Sequence, residues 1–414
     1  VSEPSLEKDN SPVRLKRALT LPYIVLYGLG VTVGAGIYVL VGEVIARSGQ
    51  YAPLSFLIAG LVMLLPAAVF AELTGRMPYA AAEAHFVGTG FKSPKLFLLV
   101  GLAVSAVGLI SSAAIAHGAV GYLSQLLDWP ATGLLIAIIL SAGIVAGFDI
   151  RNSIAMAGLL TLIEVGGLLL IVIGSITAGN DLAGQAVKAI PNSMSPLLWS
   201  GIAASSLLAF FAFIGFEDID SVAEETINPQ KTLSRGIFIT LFLSIAIYVA
   251  VILATLAAVP MSELAGQNAP LTLVFSRTTS LSPIIIILIA LVATVNGIIV
   301  QLIMSSRVIY GLARRGSLPK PLAYINQATR TPLVATGLSV VMVLGLALAF
   351  PIASLAEWTS AITLAIFILV CAALIRIKRS NAPIPEGTFV VPVWVPYGGI
   401  LACSGLLLAG LLAR

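Results

Sequence analysis

The chain has 414 residues, of which 59% are hydrophobic and only 10% are charged. Soluble domains are about 45–50% apolar and about 25% charged, so a soluble enzyme, a nucleic-acid binder and a secreted disulfide scaffold are excluded. The net charge is +4, and the two cysteines, Cys371 and Cys403, sit in apolar runs and do not make a zinc site of about four ligands.

A membrane helix takes about 20 apolar residues. Apolar runs broken by charges, Pro and Gly predict eleven such helices, near 20–47, 51–76, 96–127, 131–148, 153–178, 196–224, 233–259, 280–312, 332–350, 353–377 and 392–413. Residues 1–19 read as a polar cytoplasmic segment without the apolar core of a secretory leader. Residues 20–178 and 196–377 then hold five spans each, and 392–414 an additional helix. With the N-terminus inside, only Arg47, Lys188, Arg277 and Arg414 of the 22 Lys and Arg fall outside. That bias is the positive-inside signature, and it needs no nucleic-acid or lipid-signalling role.

Span 1 carries Gly28, Gly30, Gly34 and Gly36, poor helix formers without the GxGxxG spacing of a dinucleotide loop. Close helix packing is the plainer use of such glycines. In span 3, His117 follows small apolar residues and reads as a packed core histidine or a titrating group, while His85 is expected in solvent. In span 5, Glu164 has no Lys or Arg within ten residues. A carboxyl in mid-membrane is costly and by default functional. It reads as a proton carrier, with a sodium ligand beside Asn296 or Thr294, or a protonated structural group, as alternatives.

Span 6 runs Phe211-Ala212-Phe213-Ile214-Gly215-Phe216-Glu217-Asp218-Ile219-Asp220. Glu217 reads as a cap on the restarting helix, a substrate or gate residue, or both. Asp218 joins it as a gate candidate, and the three acids are expected to make the inner end of the cavity negative. Glu224 and Glu225 are expected to pair with Arg307 or Arg235. Glu43 and Glu357-Trp358 fall at the outer face, with Glu357 a possible outer gate and Trp358 an interface anchor.

Two interrupted spans, five apart, are the pattern of a transporter built from inverted repeats. Where span 1 restarts, free N–H groups of Gly34, Ala35, Gly36 and Ile37 suit a carboxylate, with Thr32 and Val33 beside them in the candidate binding site. A side chain at Gly34 or Gly36 is expected to fill that space. Where span 6 breaks, free carbonyls of Phe211, Ala212, Phe213 and Ile214, before Gly215, suit an ammonium group. A ligand with both groups is an α-amino acid.

Three motifs, Gly30-Val-Thr-Val-Gly34-Ala-Gly36-Ile-Tyr38-Val, Phe213-Ile-Gly-Phe-Glu217 with Ala223-Glu-Glu-Thr-Ile-Asn228-Pro229-Gln-Lys, and Ser306-Arg-Val-Ile-Tyr310-Gly-Leu-Ala-Arg-Arg-Gly316-Ser-Leu-Pro319, carry a resemblance. In that order, the chain from about Leu15 to about Pro396 resembles the amino acid–polyamine–organocation transporter superfamily. The resemblance implies an all-α membrane protein with a LeuT-like 5+5 inverted-repeat bundle. It also implies discontinuous helices 1 and 6, and a central site between spans 1, 3, 6, 8 and 10. Family members usually have twelve spans against eleven here, and the run Pro78 to His85 lacks their glycines. In proton-coupled relatives a Lys occupies the position matching Glu164, facing span 1 and, here, Asn296 on span 8. The arginine and polyamine exchangers share the Gly-x-Glu pattern of Gly215 and Glu217.

The expected function is therefore secondary active transport of amino acids or related organic cations by alternating access in the cell membrane. A proton serves as coupling ion, with no other cofactor and no metal. Substrate-for-substrate exchange and a passive channel are the alternatives. The expected partners are a small-molecule substrate and the bilayer, with no nucleic acid, and no catalytic residues are identified.

Overall fold

The structure, a computed structural model, describes residues 19–77, 82–148, 154–264, 267–327, 329–380 and 383–413. The basic residues before Leu19, Pro78 to Ala81, Arg151 and Arg414 lie outside them, as does the side chain of Glu224. The described residues form helices and turns, with one isolated bridge between Leu19 and Thr226.

Every predicted span has a helical counterpart. Span 1 is two helices, α1 (Leu21–Thr32) and α2 (Ala35–Ser48), followed by α3 (Ala52–Arg76). A short α4 (Ala82–Phe91) precedes α5 (Pro94–Leu123), α6 (Ala131–Gly147) and α7 (Ile154–Thr177). After α8 (Leu182–Lys188) comes the second broken element. It comprises α9 (Pro196–Phe210), a single 3-10 turn Phe211–Phe213, and a 3-10 segment Phe216–Glu225 in place of the expected α-helix. Then follow α10 (Pro229–Ala258), α11 (Met261–Leu264), α12 (Pro270–Thr278), α13 (Ile284–Arg314), α14 (Leu333–Ala349), α15 (Ile352–Arg379) and α16 (Trp394–Leu412).

Among the described residues eight helical stretches are long and apolar enough to cross a membrane, the first running from Ala35 to Arg76. Leu21–Thr32, Ala131–Gly147 and Leu333–Ala349 are shorter apolar helices. Helix starts follow the local chemistry. α5, α9, α10 and α12 open on proline, whose missing N–H costs nothing in a first turn. Ser93 also accepts the Leu96 N–H at 3.3 Å.

Small residues let the walls approach. A Cβ on Gly108 of α5 would lie 2.2 Å from Ser305 Oγ of α13. Ser105 and Ser305 each donate to the other's carbonyl, at 3.4 and 3.2 Å. Without a hydrophobic drive between helices in lipid, such seams and interhelical hydrogen bonds carry the packing. They fix two walls of the space around the breaks.

Candidate functional site

The two breaks meet at mid-structure. α1 stops at Thr32 and α2 starts at Ala35, leaving Val33 and Gly34 outside either helix. In the other element Ile214 is extended and Gly215 has φ 122°, a conformation that favours glycine. A Cβ on Gly215 would lie 2.8 Å from the Val31 carbonyl oxygen, and one on Gly36 would lie 2.7 Å from Ala212 Cα. Gly36 therefore lets one break pack on the other. A side chain there meets backbone before it meets open ligand space, which corrects the reason expected from sequence.

Carbonyls released by a break inside a membrane need a donor. Tyr248 of α10, fully buried, places its hydroxyl 2.6 Å from the Thr32 oxygen and 2.7 Å from the Ala212 oxygen. One phenol thus bridges both breaks. Phe211 O accepts from Ile214 N at 3.3 Å. Two of the four carbonyls assigned to an ammonium group therefore already hold one partner, and each keeps a second lone pair.

Around the breaks lies a cavity of about 560 Å³, within the range that holds a small ligand. Thr32, Gly34, Ala35, Gly36, Phe211, Ala212 and Ile214 line it, whereas Val33, Ile37, Phe213, Gly215 and Glu217 do not. Its other walls come from Ser111 and Ile115 of α5, Leu160 and Thr161 of α7, and Ala293, Asn296, Gly297, Val300 and Gln301 of α13. Leu19, Tyr23, Tyr27, Val222 and Glu225 mark one end. Because α2 begins at this cavity, its first-turn N–H groups, which lack helical partners, are available to an anion there. Among the described residues Glu225 makes no ion pair with Arg235 or Arg307, contrary to the expected pairing.

Glu164 stands behind the first break. A Cβ on Gly34 would lie 4.0 Å from Glu164 Oε2. The side chain is 1% exposed, and among the described residues neither carboxyl oxygen has a hydrogen-bond partner of normal geometry, although Asn296 lies within interaction range. Tyr38 donates to the Glu164 backbone oxygen at 2.6 Å, and Tyr122 to the Tyr38 oxygen at 2.8 Å. Thr32 Oγ1 is also buried without a partner among the described residues. Thr294 instead donates to the Ala290 carbonyl of its own helix at 2.7 Å.

Glu217, Asp218 and Asp220 face elsewhere. Glu217 accepts the Gly215 N–H at 2.9 Å, a carboxylate folded back onto the break. With Glu83 these acids line a second cavity of about 360 Å³ on the far side of the 3-10 segment. Glu217, Asp218 and Asp220 therefore do not line the cavity between the breaks, contrary to their expected place at its inner end. A void of about 40 Å³ lies between the two spaces, touched by Ile214 and Gln301 from one and by Glu83, Glu217 and Asp218 from the other.

At the end opposite Leu19, Arg47 of α2 pairs with buried Glu357 of α15. His117 of α5 donates from Nε2 to the Ala347 and Phe350 oxygens, at 3.0 and 3.2 Å, where α14 ends. The Trp358 ring packs edge-on against Phe350. Glu43 makes no ion pair among the described residues. His85, expected in solvent, is half-buried against the Phe97 ring. Burial, then the Arg315 charge, hold its imidazole below the ordinary value.

Three functional groups escape sequence reading. Tyr248 and Glu83 act through contacts far along the chain. Glu72 of α3 is fully buried, pairs with Arg76 at 2.7 Å and Lys378 at 2.8 Å, and accepts the Val391 N–H at 2.8 Å. A single Glu ahead of an Arg at i+4 is its only local trace.

The profile of the family described as amino acid permease matches residues 20–413. A vacuolar cationic amino acid transporter of Arabidopsis thaliana is 31% identical over 90% of this chain, which spans 62% of that relative's length. A branched-chain amino acid permease of Bacillus subtilis is 27% identical over 95% of this chain and 88% of its own. A methylthioribose transporter of the same bacterium is 26% identical over 97% of this chain and 89% of its own.

Proposed function

The chain belongs to the amino acid permease family, and from that premise we propose that it carries amino acids across a membrane by alternating access. The observation that supports this most is the meeting of two broken helices around one cavity. That cavity presents α2 first-turn N–H groups and second-break carbonyls to the same space. A carboxylate and an ammonium on one carbon satisfy both. Two inverted five-helix units and one further span, with the N-terminus inside, make the Leu19 end cytoplasmic. The Arg47–Glu357 pair and the His117 contacts then close the outer side, and the molecule faces inward.

The substrate we favour is neutral and apolar. Ile115, Phe211, Ile214, Ala293 and Val300 surround the space beside the breaks, and Glu225 is the only acid among the described residues of the lining, at its open end. A cationic side chain there would be desolvated without a partner, which is costly. Glu164 is the coupling group. Ionised in a packed interface it lacks a countercharge, so it favours states that hydrate it; protonated, it lets α1, α7 and α13 close.

Competition for uptake into proteoliposomes tests the substrate class. Leucine, valine and alanine should compete, and lysine, arginine and 1,4-diaminobutane should not. Competition by the cations alone would remove the neutral reading.

A further inference from the structure

α4 gives way to α5 at a tight corner. Lys92 there has φ 51°, a conformation that favours glycine. It is held by the Lys92 N–H on the Thr89 oxygen at 3.2 Å and the Ser93 N–H on the Gly88 oxygen at 3.1 Å. Beside the corner lies an open pocket of about 260 Å³, walled by His85, Thr89, Lys92, Ser93, Phe97 and Arg315. No carboxylate is among the described residues that line it. The one acid of α4, Glu83, lines the second cavity, which shares the His85, Phe97 and Arg315 wall.

The positive groups of the pocket come from separate elements and lack a countercharge. Lys92 and Arg315 are exposed and form no ion pair among the described residues. The Arg315 guanidinium is set over the Phe97 ring, 4.5 Å from its centroid, and the His85 ring meets the same ring edge-on at 5.2 Å. Arg315 is near enough to oppose a positive charge on His85. α5, 30 residues long, begins at Pro94 in the pocket wall and adds the positive end of its dipole. Ser93 Oγ accepts the Leu96 N–H at 3.3 Å, which leaves its O–H to donate. We propose that this pocket binds a phosphate group. Such an anion accepts from Lys92, Arg315 and the hydroxyls together, and charge-assisted bonds are the strong ones. In the proposed orientation the corner is cytoplasmic, where the leaflet carries anionic headgroups. The phosphate therefore belongs to a lipid headgroup or to a soluble anion.

Unfolding midpoints of the full chain in detergent provide the test, with sodium phosphate against sodium chloride at equal ionic strength, and dihexanoyl phosphatidylglycerol against dihexanoyl phosphatidylcholine. At least one of phosphate and phosphatidylglycerol should raise the midpoint saturably above its control. A response to phosphatidylglycerol alone assigns the phosphate to a headgroup, and a response to inorganic phosphate assigns it to the group itself. Arg315→Gln and Lys92→Gly should each weaken the apparent affinity at least about threefold, the scale of one exposed charge. Lys92→Gly should unfold no earlier than wild type without the anion, because glycine suits the positive φ, so its lost response is not lost folding. Lys95→Gln, exposed beside the pocket but outside its lining, should respond as wild type. Equal responses within both pairs of additives would overturn the proposal, as would a phosphate effect that never saturates, the mark of exclusion from the protein surface. A wild-type response in either Arg315→Gln or Lys92→Gly, or an equal loss in Lys95→Gln, would also overturn it.

Discussion

At the residue scale, Gly215 and Gly345 separate conformational need from mere tolerance. Gly215 has φ 122° and presses on the Val31 carbonyl, so Gly215→Ala should cost about 1–3 kcal/mol, as for other strained backbone positions. Gly345 lies inside α14, and a methyl group there would meet nothing within 4 Å among the described residues. It should accept alanine with a gain of about 0.5–1 kcal/mol. Detergent unfolding midpoints check both; equal shifts would mean that the break geometry is wrongly assigned. Tyr248→Phe removes the one donor shared by the Thr32 and Ala212 oxygens. Leaving buried carbonyls short of a partner costs about 1–3 kcal/mol. The midpoint should fall accordingly, and amino acid uptake should fall with it. Wild-type uptake by this variant would show that the bridge between breaks is dispensable. Gly215 was readable from its neighbours in the sequence, since a glycine before acids in an apolar run marks an interruption. Tyr248 was not, because a tyrosine in an apolar span is ordinary until its partners, 216 and 36 residues away, are known.

At the element scale, the interruptions and apolar runs were legible, because glycine clusters and missing charges act locally on helix formation and membrane depth. The short α4, α8, α11 and α12 were not, since their formation depends on docking against long helices rather than on a hydrophobic run of their own. The 3-10 form of Phe216–Glu225 was equally hidden. The placement of Glu217, Asp218 and Asp220 on its far side follows from that form, and with it the loss of their expected role in the main cavity. Glu72 ties α3 to α15 and to the segment before α16 through Oε2, while Oε1 holds Arg76 of its own helix. Glu72→Gln leaves Lys378 and Arg76 without their countercharge, and removing one partner of a buried pair costs about 3–5 kcal/mol. The unfolding midpoint should fall steeply, and Lys378→Met in the same chain should restore part of it. Strict additivity of the two changes would contradict a shared network.

At the scale of the whole molecule, the proposed alternating-access reading gives the cavity one open end and one closed end. The cavity reaches Leu19 and Glu225, and Arg47 with Glu357 shuts the other side. Glu164 lies buried beside the first break, near Asn296, with neither carboxyl oxygen hydrogen-bonded in normal geometry among the described residues. In the proposed coupling, movement of the helices around it changes the partners open to it, so that proton occupancy biases the side that the cavity faces. The most direct test compares wild type with Glu164→Gln in proteoliposomes, reading pH-gradient-driven accumulation of a neutral amino acid and, separately, exchange of that amino acid without a gradient. The Gln variant, fixed in the neutral form, should keep exchange and lose accumulation. Accumulation with the wild-type pH dependence in that variant would contradict the account.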